Sequence, residues 1–317
     1  MMAISGPQRV SSEGGRAVGH SFGGPWTEDK LQRIDDYLDA YMTIFSGNPR
    51  ASKLNTIYLD AFAGTGFRTS PVAEDRAEGS LFEDALEDPD TDSLKKGSAY
   101  VALRTKPPFG RYIFVDRNPA HAESLAALRQ EFPELADRIS VQAADANTFL
   151  QEWCRKTNWK ENRAVVFLDP YGMQVDWSTI EAIAATKAID LWILFPLGQA
   201  VNRLLTKSDI PGGGQADRLT RFFGTDGWKE AFYEEASNQP SMFDLSGEET
   251  GYAKRTNFEA IGSYFVDRLQ QIFVEVSKNP LPLRNSKGVP LFLLCFAAAN
   301  PKGAKPALRI ANHLLRR

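Results

Sequence analysis

The sequence predicts an α/β fold: a doubly wound sheet of seven strands closed by an antiparallel hairpin. Three observations lead there. Five short β-rich runs alternate with helical patterns, as parallel strands joined by crossover helices do. Four of those runs end in, or are followed within two residues by, an aspartate: Asp60, Asp116, Asp145 and Asp169. Near the carboxyl end two more β-rich runs, 281–284 and 291–298, flank turn residues at 285–288.

Taken in order, Thr27 reads as a helix N-cap with Glu28 and Asp29 in the first turn. Leu31, Ile34, Leu38, Tyr41, Met42 and Phe45 then recur every three or four residues, one face of a helix that ends near Gly47. Strand one, 56–60, runs into the small-residue loop 61–66. The stretch 70–96 breaks the composition, with nine acids and one base between Glu74 and Asp92. It reads as an exposed acidic insertion, partly helical at 79–86. A short helix follows at 98–103.

The βα alternation then resumes. Strands 111–116 and 139–143 are each followed by a helix, at 120–131 and 146–154. Strand 164–169 is nearly all apolar, as a parallel strand buried on both faces should be. A helix at 177–186 leads to strand five, 189–195. Residues 198–257 interrupt the alternation and are expected on the C-terminal side of the sheet, where such folds bind ligands. Within them 218–232 is amphipathic. A long helix at 258–276, the hairpin and a last helix at 304–315 complete a Rossmann-like domain over 25–317, with insertions at 70–96 and 198–257.

Composition excludes several classes. The chain has 317 residues, 43% apolar and 24% charged, with a formal net charge of -3. That is an ordinary globular balance and no uniformly basic nucleic-acid binder. Cys154 and Cys295 stand alone in apolar contexts, which fits a reducing cytoplasm. The three histidines show no metal-ligand spacing, so no metal is expected. No apolar run is long enough to span a membrane. Residues 1–24 are rich in Gly and Ser and are expected to be a disordered leader.

The chemistry concentrates at the strand ends. Gly64-Thr-Gly66 follows strand one directly, where glycine lets a backbone approach a ligand without a Cβ in the way. A dinucleotide fold would want a third glycine, and this chain has Thr69 in its place. Asp60, before the loop, suits the amino group of a methionine moiety and would repel a pyrophosphate. Phe62, Ala63, Gly64 and Gly66 are therefore read as walls of an S-adenosylmethionine site. Asp116 can accept both ribose hydroxyls, because a carboxylate takes two donors side by side. It also reads as a solvated acid beside Arg117. Asp145, with the backbone of Ala146 and Asn147, can meet an adenine amino group, or it can cap the following helix.

Asp169-Pro-Tyr-Gly172 ends strand four, where the order of the sheet reverses. Asp169 and a carbonyl held by Pro170 can accept the two hydrogens of an exocyclic amine, with Tyr171 stacking on the base for about 1–3 kcal/mol. Both bonds leave the nitrogen lone pair free for an electrophilic methyl group. Gly172, Lys30 and Arg203 complete the expected substrate side. Lys30 and Arg203 belong to a scattered basic set with Arg218, Arg221, Arg255, Lys302 and Lys305 that suits a phosphate backbone, although such residues on helices are more often simply solvated. No PD-(D/E)xK spacing suggests a nuclease.

These motifs resemble a known family, the bacterial three-Cys-motif partner proteins (TcmP). The resemblance covers most of the chain. It is carried by Gly24-Pro-Trp-Thr-Glu-Asp-Lys-Leu31, by Tyr58-Leu-Asp-Ala-Phe-Ala-Gly-Thr-Gly66, by Phe167-Leu-Asp-Pro-Tyr-Gly-Met-Gln174, by Ile189-Asp-Leu-Trp-Ile-Leu-Phe-Pro196 and by Asn300-Pro-Lys-Gly-Ala-Lys305. It implies a class I methyltransferase fold and a partner protein with a three-cysteine motif, radical-SAM-like in kind. The DPYG segment also resembles the DPFG of tRNA guanine N2-methyltransferases and, more loosely, the DPPY of adenine N6-methyltransferases, from which it departs in lacking the second proline. The expectation is an S-adenosylmethionine-dependent N-methyltransferase acting on an RNA or DNA base. The alternative is an inactive scaffold that serves as the partner of the three-cysteine protein.

Overall fold

The structure, a computed structural model, describes residues 24–64, 67–68, 95–235 and 251–317. The expected leader up to residue 23, Gly66 and nearly all of the acidic insertion, its helical segment included, lie outside the described residues, and Gly24, expected in the leader, begins a helix.

Five parallel strands build the sheet: β1 (Asn55–Asp60), β2 (Arg111–Asp116), β3 (Ile139–Ala143), β4 (Asn162–Leu168) and β5 (Ile189–Phe195). The closing pieces are β6 (Glu275–Val276), β7 (Leu281–Arg284) and β8 (Pro290–Ala298). The order is β3-β2-β1-β4-β5-β8, with β8 antiparallel to β5 and both β6 and β7 paired to its outer edge. The sequence order reverses between β1 and β4, so the crevice at their C-terminal ends is the place where open α/β sheets bind ligands. This is a doubly wound sheet closed by an antiparallel hairpin.

Helices cover both faces because the strands are apolar on both. Successive side chains of a strand point to opposite sides, and the buried residues sort accordingly. Tyr58, Phe114, Val165, Phe167 and Trp192 face α1 (Gly24–Gly47), α2 (Ser98–Arg104), α3 (Pro119–Glu131) and a helix at the carboxyl end, Ala304–Arg316. Ile57, Leu59, Val115, Val166 and Leu191 face α4 (Ala146–Lys156) and α5 (Trp177–Ala185). The same side carries α6 (Gly213–Phe223), α7 (Trp228–Phe232) and α8 (Phe258–Gln270), and the carboxyl-terminal helix is α9.

Three boundaries differ from expectation. Helix α1 starts at Gly24, so Thr27 lies inside the first turn and is no N-cap. Proline is tolerated there because its missing N–H would have had no helical partner, and the Trp26 ring, 5.3 Å from that of Phe292, fastens the turn to the sheet. The stretch 218–232 is two helices, because Gly224 takes a left-handed conformation (φ +69°) that ends α6. The helix expected over 258–276 stops at Gln270, and Glu275–Val276 instead pair with Ala298 and Ala297.

A buried polar link fixes α1 to the sheet. The Tyr37 hydroxyl donates to Asp190 Oδ2 at 2.8 Å. Burial, opposed by that bond and by Arg163, pushes the Asp190 carboxyl up to about 7. The folded state therefore holds the proton more tightly than the unfolded chain. The stabilisation is full below the unfolded value near 4 and is lost as pH rises through about 7. Asp190→Asn keeps an acceptor for Tyr37 and cannot ionise. From about pH 5 to about pH 8, urea unfolding should show the variant gaining on the order of 3 kcal/mol over the parent. A constant difference across that range would contradict it.

Candidate functional site

A cleft of about 1720 Å³ opens over the C-terminal ends of the parallel strands. One side is built by Ala61 and Phe62 after β1, by Asp116 and Asn118 after β2, and by Asp145 and Ala146 at the start of α4. The loop after β4 supplies Tyr171 to Gln174, and residues 199–221 form the far wall.

The glycine loop is tied down by the end of β2. Gly64, at φ +58°, donates its N–H to Asp116 Oδ2 at 3.0 Å. Asp116 Oδ1 accepts from the Asn118 N–H at 2.8 Å and meets His121 Nδ1 at 3.1 Å. A carboxylate offers about four lone-pair sites, so Asp116 keeps room for one more donor. Accepting two ribose hydroxyls requires that His121 or Gly64 let go. His121 was invisible to motif reading because it lies on α3, outside any glycine or acid pattern.

Asp145 is the N-cap of α4: Oδ1 accepts from the Thr148 N–H at 2.9 Å and from its hydroxyl at 3.0 Å. Its other oxygen makes no hydrogen bond among the described residues, and the residue lines the cleft. One carboxylate thus caps the helix and keeps a free acceptor there. Asn147 adds a brace. Its Nδ2 donates to the Gln174 carbonyl at 2.8 Å, and its Oδ1 accepts from the Asp176 N–H at 2.9 Å. The Tyr171 N–H in turn donates to Gln174 Oε1 at 3.0 Å. The segment carrying Tyr171 is therefore rigidly held, with that side chain 79% exposed.

Asp60 and Asp169 do not open onto this cleft as expected. Both lie on the α1 side of the sheet, and the reason is strand parity: Asp60 shares the face of Tyr58, and Asp169 that of Phe167. Asp60 is fully buried, accepting from the Ser98 hydroxyl at 2.5 Å and from the Phe62 N–H at 3.3 Å. Burial pushes its carboxyl up to about 7; nearby Asp169 adds to this, while Ser98, the Phe62 N–H and Lys30 oppose it. Such an acid, buried on the α1 side, is out of reach of a methionine amino group in the cleft in this conformation.

Asp169 forms an ion pair with Lys30, whose side chain is only 5% exposed. The ammonium also lies 5.6 Å from the ring centroid of Trp26 and 5.8 Å from that of Phe167. Lys30 is thus no surface contact for phosphate; it is the buried counter-ion of the DPYG carboxylate. The expectation failed because basic residues on helices usually reach solvent, whereas this one points into the sheet. Pro170 and Ala63 are buried beneath the loops, and Gly172 and Arg203 line the cleft. Arg218 and Arg221 line it too, while Arg255 donates to the Glu230 carbonyl, and Lys302 and Lys305 lie at the start of α9.

The acidic insertion does not displace the helix that follows the glycine loop. Phe67–Arg68 pair antiparallel with Lys95–Lys96. The chain thereby returns to where it left, and Ser98, the first residue of α2, sits against Asp60 at the end of β1. Among the described residues no group of His, Cys, Asp and Glu is placed to hold a metal ion, and no helix is long and apolar enough to cross a membrane.

No family model matches the chain, and no curated protein matches it either. Solved structures do. Protein LPL1258 from Legionella pneumophila str. Philadelphia 1 is 12% identical, with 94% of this chain and 92% of that one covered and a TM-score of 0.46. The N-terminal domain of EvdMO1, crystallised in the presence of SAH and D-fucose, is 12% identical over 85% and 84%, with a TM-score of 0.35. Magnesium protoporphyrin IX methyltransferase (ChlM) from Synechocystis PCC 6803, with bound SAH, is 9% identical over 86% of each chain, with a TM-score of 0.31. At such distance the site has to be read from its own residues.

Proposed function

We propose that this chain is an S-adenosylmethionine-dependent methyltransferase acting on an exocyclic amino group of a nucleic-acid base. The observation that carries the proposal is the set of acceptors at the strand ends, where Asp116 and Asp145 each keep an acceptor site on one side of the same cleft. The donors of an adenosine, its ribose hydroxyls and its amino group, match that set, and Ala61, Phe62 and Ala146 offer apolar walls. When bound, S-adenosylmethionine supplies an electrophilic methyl group. Asp116 and Gly64 hold the ribose end, Asp145 holds the adenine, and Tyr171 presents a ring on which a base can stack. The resemblance to three-Cys-motif partner proteins supports the same reading and adds a three-cysteine-motif protein as partner.

Calorimetry with S-adenosylhomocysteine tests the proposal. The parent chain should bind it, and Asp116→Ala, which removes a charged acceptor worth about 1.5–3 kcal/mol, should bind at least about tenfold more weakly. No heat from the parent chain would sink the proposal. One observation favours the scaffold reading instead: Asp169, the acid meant for the target amine, is already paired with Lys30.

A further inference from the structure

We infer that the arginine-bearing rim of the cleft binds the sugar-phosphate backbone of an unpaired nucleic-acid strand, which deepens, and for its methylated base rests on, the function proposed above. Size is the first argument. A pocket for one small ligand measures about 300–1,000 Å³, whereas this cleft holds about 1720 Å³. Beside a cofactor at the ends of β1 to β3 there is space for a second, larger ligand against the 199–221 wall.

Charge is the second. Two of the four acids that line the cleft are paired with cations, Glu152 with Lys156 and Asp176 with Arg221 at 3.1 Å, while Asp116 and Asp145 keep their charge at the cofactor end. Arg117, Arg155 and Arg218 line the same cleft, are exposed, and make no ion pair among the described residues. They come from three separate elements: the loop after β2, the last turn of α4 and the middle of α6. The chain as a whole is acidic, with a formal net charge of -3, so this rim is no consequence of a basic composition. Guanidinium groups spread around an opening suit a chain of phosphates, each of which can take a paired N–H contact.

Shape is the third. Tyr171 stands 79% exposed at the cleft, on backbone pinned by Gln174 and Asn147. An exposed aromatic ring in a cleft that arginines also line is an arrangement by which single strands are held, bases on the ring and phosphates on the charges. A base inside a duplex does not reach strand ends at the floor of a cleft, so the strand is unpaired or its base is turned out.

Fluorescence anisotropy of the full chain with labelled oligonucleotides of about 12 nucleotides, RNA and DNA of one sequence, tests this across a salt series. Binding should weaken with salt at a slope of about -0.7 per phosphate contact. Arg155→Ala/Arg218→Ala should flatten the slope by about 1.4 and weaken binding at least about tenfold. Arg309→Ala on α9, outside the cleft, should change neither. The polymer bound more tightly is the one the cleft serves. Absence of binding to both polymers at low salt, or equal binding by parent and double variant, overturns the inference. The calorimetry above keeps the two proposals apart. Oligonucleotide binding without S-adenosylhomocysteine binding leaves this inference and removes the enzyme, and the converse leaves the enzyme and removes this inference.

Discussion

Lys30→Met should leave a folded chain about 3 kcal/mol less stable than the parent in urea unfolding. Methionine copies the apolar stem of lysine but lacks the ammonium, and with it the approach of that charge to the Trp26 and Phe167 rings. Asp169 is then left without its counter-ion, next to the fully buried Asp60. Removing one partner of a buried pair costs about 3–5 kcal/mol, and the Asp169 side chain, 25% exposed, puts this case at the low end. Lys30→Met/Asp169→Asn removes both charges and should regain most of the stability. Urea midpoints of the two variants read the effect. A Lys30→Met chain as stable as the parent would show that the pair does not hold the fold together.

The second large effect is Gly224→Ala. Its left-handed backbone costs an alanine about 1–2 kcal/mol. The added Cβ would also fall 2.0 Å from Trp177 Cδ1, a contact no real atom pair sustains. Trp177 cannot give way easily: it is 2% exposed, its indole N–H donates to Glu181 at 3.0 Å, and Arg268 stacks over its ring. Overpacking of this kind adds about 1–3 kcal/mol, so a loss of roughly 3–4 kcal/mol is expected in urea unfolding. Gly213→Ala provides the contrast, since it shares the positive φ but has no atom within 4 Å. If the two variants proved equally stable, the close approach of α6 to α5 would not exist in solution.

How much of this was legible beforehand differs from element to element. The parallel strands were readable because a strand buried on both faces is apolar throughout, and β4 and β5 left no competing pattern. The aspartates at their ends were readable because strand ends in such sheets face the ligand crevice. Which face each acid takes was not readable from its position at the end of a strand. Asp60 and Asp169 turned to the α1 side, and the side chains that meet them, Ser98 and Lys30, are 38 and 139 residues away. No local spacing signals such a partner. The α6–α7 break was hidden for a different reason: Leu219, Phe222 and Phe223, and then Trp228, Ala231 and Phe232, each keep helical spacing within their own run, and the left-handed backbone of Gly224 divides the two runs.

The two-residue ladder between Phe67–Arg68 and Lys95–Lys96 has a consequence for how the chain can change. The ladder closes the insertion at its base and so ties the end of the glycine loop to the start of α2. Closing a longer loop adds only about 0.6 kcal/mol for each doubling of its length. A change in the number of residues between Arg68 and Lys95 should therefore cost little loop-closure entropy as long as the ladder itself forms.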